Sequence, residues 1–387
     1  MLQIFIRFLS LGLISFGGPA AHIGYFRQTF VKELAWLDEK KYASLVALSQ
    51  FIPGPGSSQI GFAIGYHKGG LLGGLMAFLG FTLPSFLLLF LFAVTSYQWF
   101  DYPLVQGIIH GLKLLAVVVV TDAVWSMFNQ FCKRPPAILI MLLSFSLVLL
   151  FPSIWIQFCL LVLAAIVGRY WLSSIPETLA STTPRINLNY FWLSLFTLLF
   201  AGSIFAISEN VFIQQPSLLK LFGQFYQVGS MVFGGGHVVL PLLQSSVGNS
   251  ISNDQFLTGY ALAQAIPGPM FTLAAYLGAQ IWVTQPLVGA LVATLAIFLP
   301  GFLLMLVALK SWHTLIASPG ITSVIAGVNA AVVGFLLSAL YHPIFTSAVI
   351  DNIDMVLVVI GFGLFKIIKP NVFFLVLSFG VAGGVFA

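Results

Sequence analysis

The tetrapeptide Ile-Pro-Gly-Pro occurs twice, at Ile52–Pro55 and at Ile266–Pro269, each time inside a long apolar run. Proline removes a backbone donor and crowds the preceding turn, and glycine adds freedom, so no regular helix runs through either copy. Of 387 residues, 59% are hydrophobic and 6% are charged, against about 25% charged in soluble domains. No soluble fold covers that much apolar surface, so the chain is an all-α polytopic membrane protein. In hydrocarbon, backbone groups freed by a break must find protein or water. A break written twice therefore predicts a lined cavity and not random kinking.

The duplication extends beyond the motif. Ala47, Leu48, Gln50, Ile52, Pro53, Gly54 and Pro55 stand 214 residues before Ala261, Leu262, Gln264, Ile266, Pro267, Gly268 and Pro269. Upstream, Phe16-Gly17-Gly18-Pro19 matches Phe233-Gly234-Gly235-Gly236, with glycine replacing proline at the last position. Downstream, Leu83-Pro84 and Phe86-Leu87-Leu88 match Leu299-Pro300 and Phe302-Leu303-Leu304. Gly111 matches Gly327, which sets Lys113 opposite Asn329. The expected organisation is a first repeat over 1–171, a linker with one transmembrane helix over 172–216, and a second repeat over 217–387. The linker helix is a single crossing, so the second repeat is expected to be inverted.

The charge of +5 reads as orientation and not as nucleic-acid binding. If the glycine- and proline-broken units are re-entrant hairpins, Arg7, Arg27, Lys32, Lys40, Lys41, Lys68, Lys133 and Arg134 fall inside with the N-terminus. Asp101, Asp254, Asp351 and Asp354 then fall outside, and Lys220 alone is misplaced. If the broken units span instead, thirteen crossings result and Arg27, Lys32, Lys40 and Lys41 move outside. Both topologies remain open at this point. Cys132 and Cys159 fit neither a disulfide framework nor a metal site. The apolar run after Met1 reads as a retained segment and not as a signal peptide.

Inverted repeats with discontinuous helices are a transporter pattern. Pro55 and Pro269 suit a helix start. The amides of Gly56, Ser57 and Ser58, like those of Met270, Phe271 and Thr272, would then be unpaired at the positive end of a helix dipole, a place for a small anion. Gly54 and Gly268 free the backbone there. The hydroxyls of Ser57, Ser58 and Thr272 add donors, and Gln50 and Gln264 lie just before the breaks. The glycine breaks Gly17-Gly18-Pro19 and Gly234-Gly235-Gly236 offer more amides, with His22 and His237 nearby. Kinks satisfied by neighbouring helices are the plainer alternative. Lys113, about ten residues into an apolar helix, is a substrate-linked candidate unless a carboxylate pairs it. Asp122 is a candidate for proton coupling. No nucleotide, metal or hydrolase motif is present, so no cofactor and no enzymatic activity are expected.

These motifs together, over nearly the whole chain, resemble the chromate ion transporter family in its long two-repeat form. The residues carrying the resemblance are Phe16-Gly-Gly-Pro-Ala-Ala-His-Ile23, Gln50 with Pro53-Gly-Pro55, Phe233-Gly-Gly-Gly236 with Val239-Leu-Pro-Leu-Leu243, and Gln264 with Pro267-Gly-Pro269. The resemblance implies a secondary transporter of the bacterial inner membrane that expels chromate and confers resistance to it. Sulfate, a tetrahedral dianion of similar size, is an alternative cargo for uptake, and an anion channel is a further alternative. The oligomeric state is open, a homodimer being one option.

Overall fold

The computed structural model describes residues 1–16, 18–99, 102–172, 189–209, 217–233, 235–309, 319–368 and 372–386. Among these the fold is helical, without strands. Among the described residues six helices are long and apolar enough to cross a bilayer. Leucines at 72, 79, 87, 91, 142 and 143 stand exposed on the outside, as a lipid-facing surface requires. Most of the 172–188 linker lies outside the described residues.

The first repeat opens with two short helices, α1 (Leu2–Ile14) and α2 (Gly18–Arg27), the latter continued by a π turn, Gln28–Glu33. Helix α3 (Glu39–Phe51) starts at Asp38, whose carboxylate accepts from Lys41 N–H at 2.7 Å. It stops where the sequence predicts, with Ile52 extended and Gly54 at φ +128°. Helix α4 (Gly56–Trp99) then turns back on itself at Gly69–Gly70, where φ/ψ are not helical. Three helices complete the repeat: α5 (Pro103–Phe131), α6 (Pro135–Leu150) and α7 (Ile154–Trp171). Helix α8 (Tyr190–Glu209) follows alone.

The second repeat runs in the same order. It comprises α9 (Leu218–Met231), α10 (Val239–Val247), α11 (Asn253–Ala265), a 3-10 turn at Met270–Thr272 with α12 (Leu273–Ile281), α13 (Pro286–Ala308), α14 (Pro319–Ala339), α15 (Asn352–Ile367) and α16 (Val372–Phe386). Ser252 caps α11 with a reciprocal Gln255 bond, at the position that Asp38 holds for α3.

Contacts symmetric about each break separate the two topologies left open by the sequence. Lys41 Nζ lies 3.1 Å from His67 Nδ1, and Lys68 lies 5.3 Å over the Trp36 ring. A helix threading straight across would hold positions 41 and 67 roughly 35–40 Å apart at 1.5 Å per residue. The unit is therefore a hairpin. Phe8 stacks on Phe30 at 4.7 Å, folding α1 and α2 into a second hairpin that returns to the same end. In the other repeat, Gln224 Nε2 donates to Ser246 O at 2.7 Å across α9 and α10, and Gly259 packs on Tyr276 across α11 and α12. At the open end of the first two hairpins, Glu39 accepts from Arg27 and Lys32 at 2.8 Å each. The hydrogen bonds from Arg27, then Lys32, hold its carboxyl at about 2, well below the ordinary carboxylate range. That stabilisation is present above the ordinary carboxylate value of about 4.5 and is lost as pH falls toward 2. Cysteines placed at Lys32 and Lys68 are thus expected to react with an impermeant thiol reagent from one and the same membrane side. Labelling from opposite sides contradicts the hairpins.

The closing helices are exchanged between repeats. Helix α5 packs on α16, where Gly107 and Gly111 face the Phe379 carbonyl and Gly383 so closely that a methyl group has no room. Reciprocally, α14 packs on α6 and α7, with Ser323 and Gly327 against Ala164 and Gly168. Two ion pairs fasten α5 to α15: His110 Nε2–Asp354 Oδ1 at 2.8 Å and Asp122 Oδ1–Lys366 Nζ at 2.5 Å. Each partner advances by twelve residues, so α5 and α15 run parallel.

The candidate anion site at the hairpin tips

The four hairpin tips meet, and they meet reciprocally. Gly54 N–H donates to the Val232 carbonyl at the end of α9, at 2.8 Å. Gly268 N–H donates to the Ser15 carbonyl at the end of α1, at 3.0 Å. Each Pro-Gly-Pro break thus satisfies the first helix of the other repeat. Both glycines have left-handed φ, +128° and +109°. A Cβ on Gly54 would sit 2.8 Å from Gly301 Cα, and one on Gly268 would sit 2.8 Å from Ser85 Oγ. Ser85 and Gly301 are themselves equivalent positions, between Leu-Pro and Phe-Leu-Leu. Sequence comparison passes over them because they differ; the flanking matches were the available signal.

Pro19 and Gly236, also equivalent, touch each other: a Cβ at 236 would lie 3.2 Å from Pro19 Cγ. This explains the one asymmetry between the glycine breaks, since two facing prolines would collide. Gly18 and Gly235 both have positive φ, +72° and +146°. Gly17 and Gly234 lie outside the described residues. Gly236→Pro is expected to cost about 1–3 kcal/mol through overpacking, read as a lower Tm, with recovery in the double variant Pro19→Gly/Gly236→Pro.

Helix α4 begins one residue later than the sequence implies. Pro55 is the flanking residue, and its carbonyl accepts from Gln59 N–H at 2.9 Å. The amides of Gly56, Ser57 and Ser58 are then the first three of the helix and have no backbone acceptor. Ser57 and Ser58 are buried, and Ser58 Oγ has no partner. Gln59, which the sequence reading missed, donates to the carbonyls of Pro53 at 2.8 Å and Gly301 at 3.2 Å while its own Oε1 stays unpartnered. His22 Nε2 donates to the Ser15 carbonyl at 3.2 Å, leaving Nδ1 buried and unpartnered like Ser15 Oγ. Buried polar atoms of this kind are costly while they lack a partner.

The second repeat differs in detail. Thr272 is not an open donor: its N–H and its hydroxyl both go to the Pro269 carbonyl, at 3.0 and 2.7 Å. Met270 and Phe271 are left with the free amides. Gln264 Nε2 donates to His237 Nδ1 at 3.2 Å, and the Tyr260 hydroxyl approaches the same nitrogen at 3.0 Å. Gln50, its counterpart, is exposed. Pro267 is half-buried at its break.

Two charged candidates have partners elsewhere. Lys113 Nζ lies 2.6 Å from Asp254 Oδ1, at the first turn of α11. No anion is needed to neutralise it. Asp122 is held by Lys366. Asn329 is buried with Oδ1 unpartnered. Among the described residues no group of three His, Cys, Asp or Glu side chains is placed to hold a metal ion.

The sequence pattern of the family described as "Chromate transporter" matches the chain twice, over residues 2–169 and over 219–384. The chain belongs to the chromate transporter family. A chromate transport protein of Pseudomonas aeruginosa is 28% identical over 86% of this chain and 79% of its own. One from Cupriavidus metallidurans is 24% identical over 87% of this chain and 81% of its own. An uncharacterized transporter of Methanocaldococcus jannaschii is 25% identical over 87% and 83%. No solved structure matches. In this member of the family, the twice-matched pattern encloses all four hairpin tips.

Proposed function

We propose that the chain is a secondary transporter that exports chromate across the bacterial inner membrane and thereby confers chromate resistance. The observation carrying this reading is the reciprocal meeting of the tips, with free helix-start amides and unpartnered buried hydroxyls gathered there. Amides aimed by a helix start are suited to a small oxyanion. The amides of Gly56, Ser57, Ser58, Met270 and Phe271 and the hydroxyls of Ser57 and Ser58 are the donors; Gly54 and Gly268 set the tips; His22, His237 and Gln264 hold the surrounding backbone and ring. Net transport follows from exposing this site alternately to the two sides.

The repeats, 1–171 and 217–387 around the 172–216 linker, are read as inverted. The parallel course of α5 and α15 supports this. Helix α15 occupies the place of α6, which follows α5 after only Cys132, Lys133 and Arg134 and must head back. The basic end of the first hairpins is read as cytoplasmic.

The test is chromate flux in proteoliposomes under imposed ion gradients, with sulfate and molybdate as competitors. Gradient-dependent, saturable chromate movement is expected, outward with respect to the cytoplasmic face. Flux no greater than in protein-free liposomes contradicts the reading, and ohmic conductance without gradient coupling makes the protein a channel.

A further inference from the structure

We propose that this structure is the inward-facing state and that Lys113–Asp254 is the latch closing its outer side; the inference rests on the transporter reading above. The molecule consists of two packed bodies. One holds the four hairpins with α8, the second arm of α4, and α13. The other holds α5, α6, α7, α14, α15 and α16. Among the described residues the second body packs chiefly on the hairpins of the second repeat; from the first repeat, Phe16 at a hairpin tip meets Phe373 of α16 edge-on at 5.6 Å. Helix α11 packs on α5, and α10 packs on α14 and α7, as does the turn Gly236–Val238 on α14. Their counterparts in the first repeat, α2 and α3, have no comparable packing against that body among the described residues.

Equivalent residues record the same asymmetry. Along one stripe of α3, Lys40, Ala43, Ala47 and Gln50 are all exposed. The matching stripe of α11 is Asp254, Leu257, Ala261 and Gln264; Leu257 and Ala261 are 1% and 2% exposed. One sequence pattern is thus closed in one repeat and open in the other. In a two-repeat transporter that difference is what separates a shut side from an open one. The open side is the end carrying Arg27, Lys32, Lys41 and Lys68.

The latch lies on the closed stripe. Lys113, its side chain 12% exposed, reaches Asp254 from α5. The corresponding inner pair is Lys40 and Asn329, which cannot form an ion pair. Outer closure therefore gains an attraction that inner closure lacks, and the empty protein rests inward-facing. The other two pairs on α5, to Asp354 and Lys366, stay within the second body. Breaking Lys113–Asp254 thus weakens the outer closure without dismantling either body, leaving the Gln157 Nε2 to Ser245 Oγ hydrogen bond at 2.8 Å between α7 and α10 in place.

The experiment uses the full chain with Cys132→Ser and Cys159→Ser, carrying either Ala47→Cys or Ala261→Cys, and an impermeant maleimide applied to each membrane face. Position 47 is expected to label from the cytoplasmic face and position 261 to be protected from both. Asp254→Asn is expected to raise outer labelling of position 261 by about fivefold, the scale of a partly exposed ion pair. The charge swap Lys113→Asp/Asp254→Lys restores protection. Labelling of position 261 with the latch intact overturns the proposal. So does no change in Asp254→Asn, or no restoration by the swap in monodisperse protein. Chromate flux in the swap variant reads separately: flux lost with protection restored leaves the latch standing and returns Lys113 to the anion site.

Discussion

Gly54→Ala is expected to abolish transport and to destabilise the fold more than Gly268→Ala does. Both substitutions put a side chain on backbone with left-handed φ, which costs about 1–2 kcal/mol. The neighbours decide the rest. At Gly54 the new methyl meets the Cα of Gly301 at 2.8 Å, and a packed helix backbone cannot step aside. That adds about 1–3 kcal/mol and displaces the tip that Val232 anchors. At Gly268 it meets the Ser85 hydroxyl at 2.8 Å and its Cβ at 3.1 Å, both of which can be deleted. Ser85→Gly is therefore expected to recover most of the loss in Gly268→Ala, and no single truncation recovers Gly54→Ala. Equal loss in both variants, with no recovery, contradicts the tip geometry.

Ser58→Asp is the second large effect. Position 58 is the third residue of α4, where a carboxylate suits the helix dipole by about 0.3–1 kcal/mol. The fold should tolerate it. The new carboxylate then occupies the place proposed for the transported anion, and like charges exclude one another. Chromate transport is expected to fall by about 100-fold or more, the scale of a few kcal/mol between close like charges. Ser58→Asn, of nearly the same shape and uncharged, should retain a measurable fraction. Comparable loss in both variants would assign the effect to size and not to charge.

What the sequence made legible follows from how local each feature is. The breaks were readable because proline and glycine act on their own backbone, and the duplicate confirmed their weight. The stops of α3 after Phe51 and of α11 after Ala265 were readable for the same reason, whereas the caps at Asp38 and Ser252 were not read from the sequence. The hairpins were not: charge alone allowed two topologies, and the Lys41–His67 and Phe8–Phe30 contacts distinguish them only in three dimensions. Lys113 stood out as a buried cation, yet its partner Asp254 lies in another element of the other repeat, where no spacing rule reaches. Thr272 was read as a free hydroxyl because its sequence does not reveal a 3-10 turn that folds it back on Pro269. Ser85 and Gly301 were passed over because the repeats differ there, although those positions touch the two breaks.

The central claim is that an oxyanion rests among the hairpin tips on the amides that open α4. The most direct measurement is anomalous scattering from chromium, or from selenium in selenate, in the purified protein with the anion bound. The account predicts a peak within hydrogen-bond distance of the amides of Gly56, Ser57 and Ser58. A peak beside Lys113, or none at the tips at saturating anion, would contradict it.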